Sequence, residues 1–304
     1  MDQSTETGYG KREFATLNSL NQCLIFIDTF RLDDDPELRV EVEGATSNFL
    51  VAEADPQVRI KARWTDLNNE ENGDEKIFDS GVLWQLYSDD NLYRFHFITP
   101  ALGPVPYKIA SFNSDFTSGE VCFHRPCFSS TQPLYPLDYP LDELLLVNLL
   151  ARGKGVEVHA CGVVDLKGNG HLFVGQSGAG KSTMAGLWQN KPGITVLSDD
   201  RIILRRKDNG FWMYGTPWHG VAELASSHRA PLKGVYFLNK GIKNKVVPLR
   251  NSDAATRFFA CSFPPFFSQQ GLDFTLSFLE EVVHSVPCRE LSFLPEESVL
   301  ELIK

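Results

Sequence analysis

His171-Leu-Phe-Val-Gly-Gln-Ser-Gly-Ala-Gly-Lys-Ser-Thr-Met-Ala-Gly-Leu-Trp-Gln189 is the stretch from which the second half of this chain can be read. Its centre, Gly175, Gln176, Ser177, Gly178, Ala179, Gly180, Lys181, Ser182 and Thr183, fits the pattern G-x-x-x-x-G-K-[ST]. A short apolar strand enters this loop and a helical run leaves it. That order matters physically, because glycines let successive backbone N–H groups curl around a phosphate while a helix N-terminus adds partial positive charge. In such a loop Lys181 reaches the outer phosphates of a nucleoside triphosphate, and the Ser182 hydroxyl helps to hold Mg²⁺. ATP and Mg²⁺ are therefore the expected ligands.

A metal at that position needs a hard oxygen from a neighbouring strand. Ile194-Thr-Val-Leu-Ser-Asp199-Asp200 supplies two acids at the end of an apolar run. Alternation along an extended chain points their side chains apart, so one can face the metal and the other an attacking group.

The pairing of this loop with an apolar strand ending in Asp199-Asp200-Arg201 resembles the catalytic domain of the HPr kinase/phosphorylase family, whose nucleotide-binding core is shared with phosphoenolpyruvate carboxykinase. Val158-His159, with His159 placed 16 residues before Gly175, is similar to that family's strand bearing an active-site histidine. The resemblance covers roughly residues 150–240. It implies that Asp199 accepts the proton of an acceptor hydroxyl with His159 beside it, and that Asp200 and Ser182 hold Mg²⁺. It also implies a further metal-site carboxylate at Glu223, 23 residues beyond Asp200. The family's second signature, a Gly/Arg-rich stretch, is replaced here by Gly220-Val-Ala-Glu-Leu-Ala-Ser-Ser-His-Arg-Ala-Pro-Leu-Lys-Gly234. That points away from HPr itself, towards related kinases acting on peptides or other hydroxyl acceptors.

Other residues have two readings. Gly215-Thr-Pro-Trp-His-Gly220 suits either a loop that touches substrate or nucleotide, or a packed corner around a Trp. Arg201 suits either the stabilisation of transferred phosphate charge or a surface position at a strand end. Cys122, His124 and Cys127 offer three metal-type ligands with no clear fourth, and read as a packed strand end.

Outward from the loop, strands and helices mix. Val156–Leu166 and His171–Gly175 read as paired strands about Lys167–Gly170, and Arg201–Gly215 as a hairpin turning on Asp208-Asn209-Gly210. Gly234–Asn239 is a further strand, and Ser252–Ala260 and Leu272–Val286 read as helices, as does Leu141–Gly153. Upstream, from Asn21 to about His124, β-branched and aromatic runs alternate with turn signals. Among them are Arg39–Gly44 and Asn48–Ala54, and the acids at Asp33–Asp35 and Glu70–Glu75 read as solvated turns. Such spacing predicts an antiparallel sheet or sandwich. The Ser/Thr/Pro-rich stretch Ser129–Pro140 marks a boundary between a β-rich accessory or acceptor-recognition domain at 1–137 and a mixed α/β kinase domain at 138–304.

The chain has 304 residues, 42% hydrophobic and 22% charged, as expected for a folded globular protein. Its charge is uneven. Residues 1–150 carry 11 basic and 25 acidic side chains, a net of −14, while the remainder carries +4. An acidic first half argues against nucleic acid as a partner. No apolar run approaches a membrane span, no secretory leader is evident, and six scattered cysteines without a C-x-x-C pair suit reduced thiols in the cytoplasm. The expected activity is transfer of phosphate from ATP to a hydroxyl, serine above all, of a peptide, protein or small molecule. The alternative is a P-loop ATPase or nucleotide-binding regulatory module with no acceptor. Whether the chain forms a homo-oligomer is open.

Overall fold

The computed structural model describes residues 15–18, 24–29, 38–51, 55–67, 75–89, 91–129 and 132–303. The chain divides into two compact units, with the division between Asp142 and Glu143; Ala45–Phe49 belongs to the second. Among the described residues no helix is long and apolar enough to cross a membrane.

The first unit is built on an eight-stranded sheet. In chain order its strands are β1 (Ala15–Asn18), β2 (Leu24–Thr29), β3 (Val58–Thr65), β4 (Glu75–Asp79), β5 (Trp84–Ser88), β6 (Leu92–Thr99), β7 (Gly103–Asn113) and β8 (Ser118–His124). In space they run β1-β2-β3-β8-β7-β6-β5-β4. The expectation of an antiparallel sheet holds for β4 to β8, which form a meander, and for the pair β1–β2. It fails around β3, which pairs in parallel with both β2 and β8. Parallel neighbours need a long return connection. The stretch at 30–57 provides one, and the whole β4–β7 meander provides the other.

Alternation along β3 buries Val58, Ile60, Ala62 and Trp64 while Arg59 and Lys61 face outward. Arg39–Gly44 does not form the strand its sequence suggests. Its contact with Leu134 is a single parallel bridge at Val40, since the next rung needs an N–H at position 136, where Pro136 has none. Asn48 and Phe49 end a short 3₁₀ helix instead of opening a strand. Residues 52–54, the acids Asp33–Asp35 and the whole turn at 68–74 lie outside the described residues. At the strand end with the three metal-type side chains, His124 Nδ1 accepts the Leu67 N–H at 3.0 Å, and the Cys122 thiol donates to Glu120 at 3.5 Å.

The second unit follows α1 (Leu141–Leu150) with β9 (Val156–Val164), β10 (Gly170–Val174), α2 (Lys181–Gln189), β11 (Thr195–Ser198), β12 (Arg201–Lys207) and β13 (Gly210–Gly215). Then come β14 (Arg229–Lys240), β15 (Lys245–Pro248), α3 (Asn251–Phe259), α4 (Gln269–Ser285) and β16 (Cys288–Phe293). The sheet order is β10-β9-β12-β13-β14-β16-β15, with β11 beside β9 and β10 also in parallel register with β14. Both faces are covered. Val156, Val158 and Ala160 of β9 pack in one cluster with Phe258 of α3 and with Phe278, Leu279 and Val282 of α4. Cys161 and Val163 pack in the other cluster with Met184 and Ala185 of α2. A strand buried on both sides reads as a continuous apolar run, and that is why β9 looks as it does in the sequence. Two residues break the run: Glu157, which is 1% exposed, and the half-buried His159.

Candidate functional site

Three strands meet β9 where the chemistry gathers. On one side β10 pairs with Ala160–Val164 and ends with Val174 opposite Ala160. The glycine-rich loop begins there, so it starts level with His159. On the other side β11 pairs with the end of β9, at Gly162–Val164, and β12 with its beginning, at Val156–His159. The two residues that cross the gap between β11 and β12 are Asp199 and Asp200. The Ala160 N–H donates to the Asp200 carbonyl at 3.0 Å, which fixes the gap against β9.

The loop from Gly175 to Gly180 closes directly onto α2. Gly178 and Gly180 adopt φ of 80° and 106°, a region that side chains disfavour. A Cβ at Gly180 would also lie 2.7 Å from the Phe293 ring. Gln176, Ser177 and Gly178 are exposed at the tip, as is Thr183 in the first turn of the helix, while Lys181 is 6% exposed. The Lys181 ammonium turns back and donates to the carbonyls of Gly175 at 2.9 Å and Gln176 at 3.2 Å. Burial pushes its pKa below the usual lysine value, and the nearby Asp200 charge opposes that shift without cancelling it.

Asp199 has no exposed surface. Its carboxylate accepts the Ser182 hydroxyl at 2.9 Å and the N–H groups of Gly220, Ala222 and Leu224 at 2.8, 3.0 and 3.4 Å. The loop after β13 is thus wound around this one side chain. Ser198 secures it further by donating to the Trp218 carbonyl at 2.8 Å, and Thr216 by donating to the Arg201 carbonyl at 2.8 Å. The Gly215–Gly220 stretch is accordingly a structural corner with Thr216 and Pro217 buried, and it is also the wall of the site, with His219 exposed.

Asp200, across the bend between β11 and β12, faces the other way. One oxygen lies 3.0 Å from His159 Nε2 and the other 2.6 Å from the Arg201 guanidinium. Burial would raise its pKa, but the His159 hydrogen bond and the Arg201 charge outweigh burial, and the carboxyl sits below its ordinary value. This corrects two sequence expectations. His159 sits beside Asp200, not Asp199, and Ser182 is joined to Asp199, not Asp200. The cause is the strand break: Arg201 is opposite His159 on the β12 side, which leaves Asp200 one residue away and in reach of the His159 ring, while Asp199 turns towards Ser182 of α2. Glu223 is exposed, with φ of 54°, in the loop whose amides at Gly220, Ala222 and Leu224 face Asp199. Among the described residues no three His, Cys, Asp or Glu side chains gather into a metal-holding group.

Beside the loop lies a cavity of about 410 Å³. Gly175–Ala179 form one wall, and Phe237, Lys240, Arg257 and Cys261 contribute to the other. Nothing in the spacing of Lys240 and Arg257 singles them out in the sequence. Glu157 does carry a signal there, as a lone acid inside an apolar strand, and it is a residue that motif reasoning passes over.

No protein-family model matches the chain, and no curated protein matches it. Among solved structures it is similar to the Hpr(Ser) kinase/phosphatase from Coxiella burnetii, over 48% of this chain and 88% of that one, with 14% sequence identity and a TM-score of 0.27. At that distance the chemistry has to be read from the residues themselves.

Proposed function

We propose that this protein transfers phosphate from ATP to a hydroxyl, serine above all, of a peptide, protein or small-molecule acceptor. The observation that carries the reading is the placing of two adjacent carboxylates on opposite duties: Asp199 on the Ser182 hydroxyl beside the glycine-rich loop, and Asp200 on His159. A nucleotide-holding module needs the first arrangement, whereas the second supplies a proton acceptor.

In this reading the amides of the loop and of the first turn of α2 hold the β- and γ-phosphates, and Lys181 leaves the carbonyls of Gly175 and Gln176 to meet them. The hard oxygens of Ser182 and Asp199 suit Mg²⁺, which asks little more of the protein when phosphates and water complete its shell. When bound, Mg²⁺ neutralises charge on the phosphate oxygens. Asp200 takes the proton of the acceptor hydroxyl. His159 donates its Nε2–H to the carboxylate through the 3.0 Å contact and keeps it aimed. The roles of the two acids are therefore the reverse of those implied by the family resemblance.

The test uses γ-labelled ATP, Mg²⁺ and an array of serine-, threonine- and tyrosine-containing peptides. Label should appear on hydroxyl side chains with the native chain and not with Lys181→Ala. Asp200→Asn should lower transfer by about 10²–10⁴-fold while binding Mg·ATP nearly as well as the native protein. Asp199→Asn should lose Mg·ATP binding. Equal binding defects in the two variants would overturn the division of roles, and a native chain that fails to bind Mg·ATP would overturn the whole reading.

A further inference from the structure

Arg201 is surrounded by acids. Its guanidinium lies 3.2 Å from Glu143, 3.3 Å from the fully buried Glu157 and 2.6 Å from Asp200. Its flat face covers the Phe263 ring, with Cζ 4.1 Å from the ring centroid. The His159 ring is tilted against the same Phe263, with centroids 6.1 Å apart. The backbone holds this arrangement in register: Arg201 is directly opposite His159 across β12 and β9, and the Phe263 N–H donates to the Glu157 carbonyl at 3.0 Å.

A guanidinium already engaged with three carboxylates is not aimed at a transferred phosphate. We propose instead that Arg201 is a positioning residue: held by Glu143 and Glu157 and stacked on Phe263, it fixes one oxygen of Asp200 so that the other faces His159. On the far side of the guanidinium, the Nε–H bond to Glu143 and the buried charge of Glu157 3.3 Å from the same nitrogen are what make this a clamp. A single Asp200–Arg201 pair between neighbours in the chain would swing together, whereas an arginine anchored from behind on Glu143 and Glu157 has one available direction. The planar fork of arginine suits this arrangement and the single ammonium of lysine does not. The place behind this arginine also accounts for a buried acid, Glu157, in a strand that is apolar apart from it and His159.

The proposal deepens the phosphotransfer reading, and its test separates the two. The first measurement needs no nucleotide. At a fixed pH of 8, long-range proton–nitrogen spectra of selectively labelled protein report which ring nitrogen of His159 carries the proton. With the ionised Asp200 as acceptor, that nitrogen is Nε2. Arg201→Lys keeps the charge and loses the fork, so His159 should become a mixture of tautomers. The second measurement is Mg·ATP hydrolysis, with water in place of the acceptor. It should fall about tenfold to a hundredfold in Arg201→Lys, with Mg·ATP affinity within about threefold of native.

If Arg201→Lys does not fold, the double variant Arg201→Met, Glu157→Gln removes one charge of each sign and is measured in its place, with the same expectations. A native His159 spectrum and native hydrolysis in the folded variant would overturn the clamp. A changed spectrum with unchanged hydrolysis would also overturn it, because the orientation would then not matter to transfer. If the native chain neither binds nor hydrolyses Mg·ATP, the phosphotransfer reading falls, and the His159 spectrum alone decides whether Arg201 sets the orientation of Asp200.

Discussion

Asp199 gathers four hydrogen bonds on a carboxylate with no solvent contact, so its role in the fold is inseparable from its role in the site. An amide in its place turns a donor towards a backbone N–H whichever way it flips. Asp199→Asn should therefore lower folding stability by at least about 2 kcal/mol, read from urea denaturation, in addition to its effect on nucleotide. Unchanged stability would mean that the loop at Gly220–Leu224 is held by other groups. Two glycines give an opposed pair of outcomes. Gly180→Ala meets a left-handed φ and the Phe293 ring and should cost about 1–2 kcal/mol. Gly186→Ala, mid-helix with nothing near its missing Cβ, should stabilise by about 0.5–1 kcal/mol. At this scale the loop residues are legible in the sequence because their chemistry and spacing are fixed by the phosphate. Which acid takes His159 is not, since that depends on the chain changing partners along β9 between Ser198 and Arg201, and no side chain advertises such a break.

The hairpin β9–β10 shows what a short element owes to its turn. Asp165 accepts the N–H groups of Lys167 and Asn169 at 2.8 and 2.9 Å, and lies 3.0 Å from His171 Nε2. Burial raises its pKa, but the hydrogen bonds from His171, Asn169 and Lys167 together outweigh burial and bring it down to about 2 from 3.8. A depressed carboxyl favours the folded state above its unfolded value and loses that contribution as pH falls through the folded one. The stability gap between the native chain and Asp165→Asn should thus be fully open above about pH 4 and close towards pH 2. A gap that did not vary with pH would show that the ionised form contributes nothing. This hairpin, like the β12–β13 hairpin, is legible in the sequence because turn residues stand between two apolar runs. The short strands β15 and β16 leave no such mark. The parallel pairings of β3, β10 and β14 are invisible locally, because they depend on segments brought back from far along the chain.

For the whole molecule, the two domains expected from the sequence differ most in charge. Residues 1–137 hold 11 basic and 22 acidic side chains, and residues 138–304 hold 18 and 17. The groups proposed to meet the nucleotide all fall in the nearly neutral part, which has its own two-faced core. The acidic part suits a basic or neutral acceptor, and it repels a polyphosphate over a distance set by salt: about 30 Å at 0.01 M and 10 Å at 0.1 M. A fragment spanning 138–304 should therefore bind Mg·ATP a few-fold more tightly than the full chain in 10 mM salt, and the two affinities should converge by about 200 mM. Titration with a fluorescent ATP analogue at both salt concentrations measures this directly, after circular dichroism has established that the fragment is folded. A folded fragment that does not bind Mg·ATP would mean that the nucleotide site draws on the first unit, against its assignment to the second alone. A gap that persists at high salt would assign the difference to contacts rather than to the field of the acidic half.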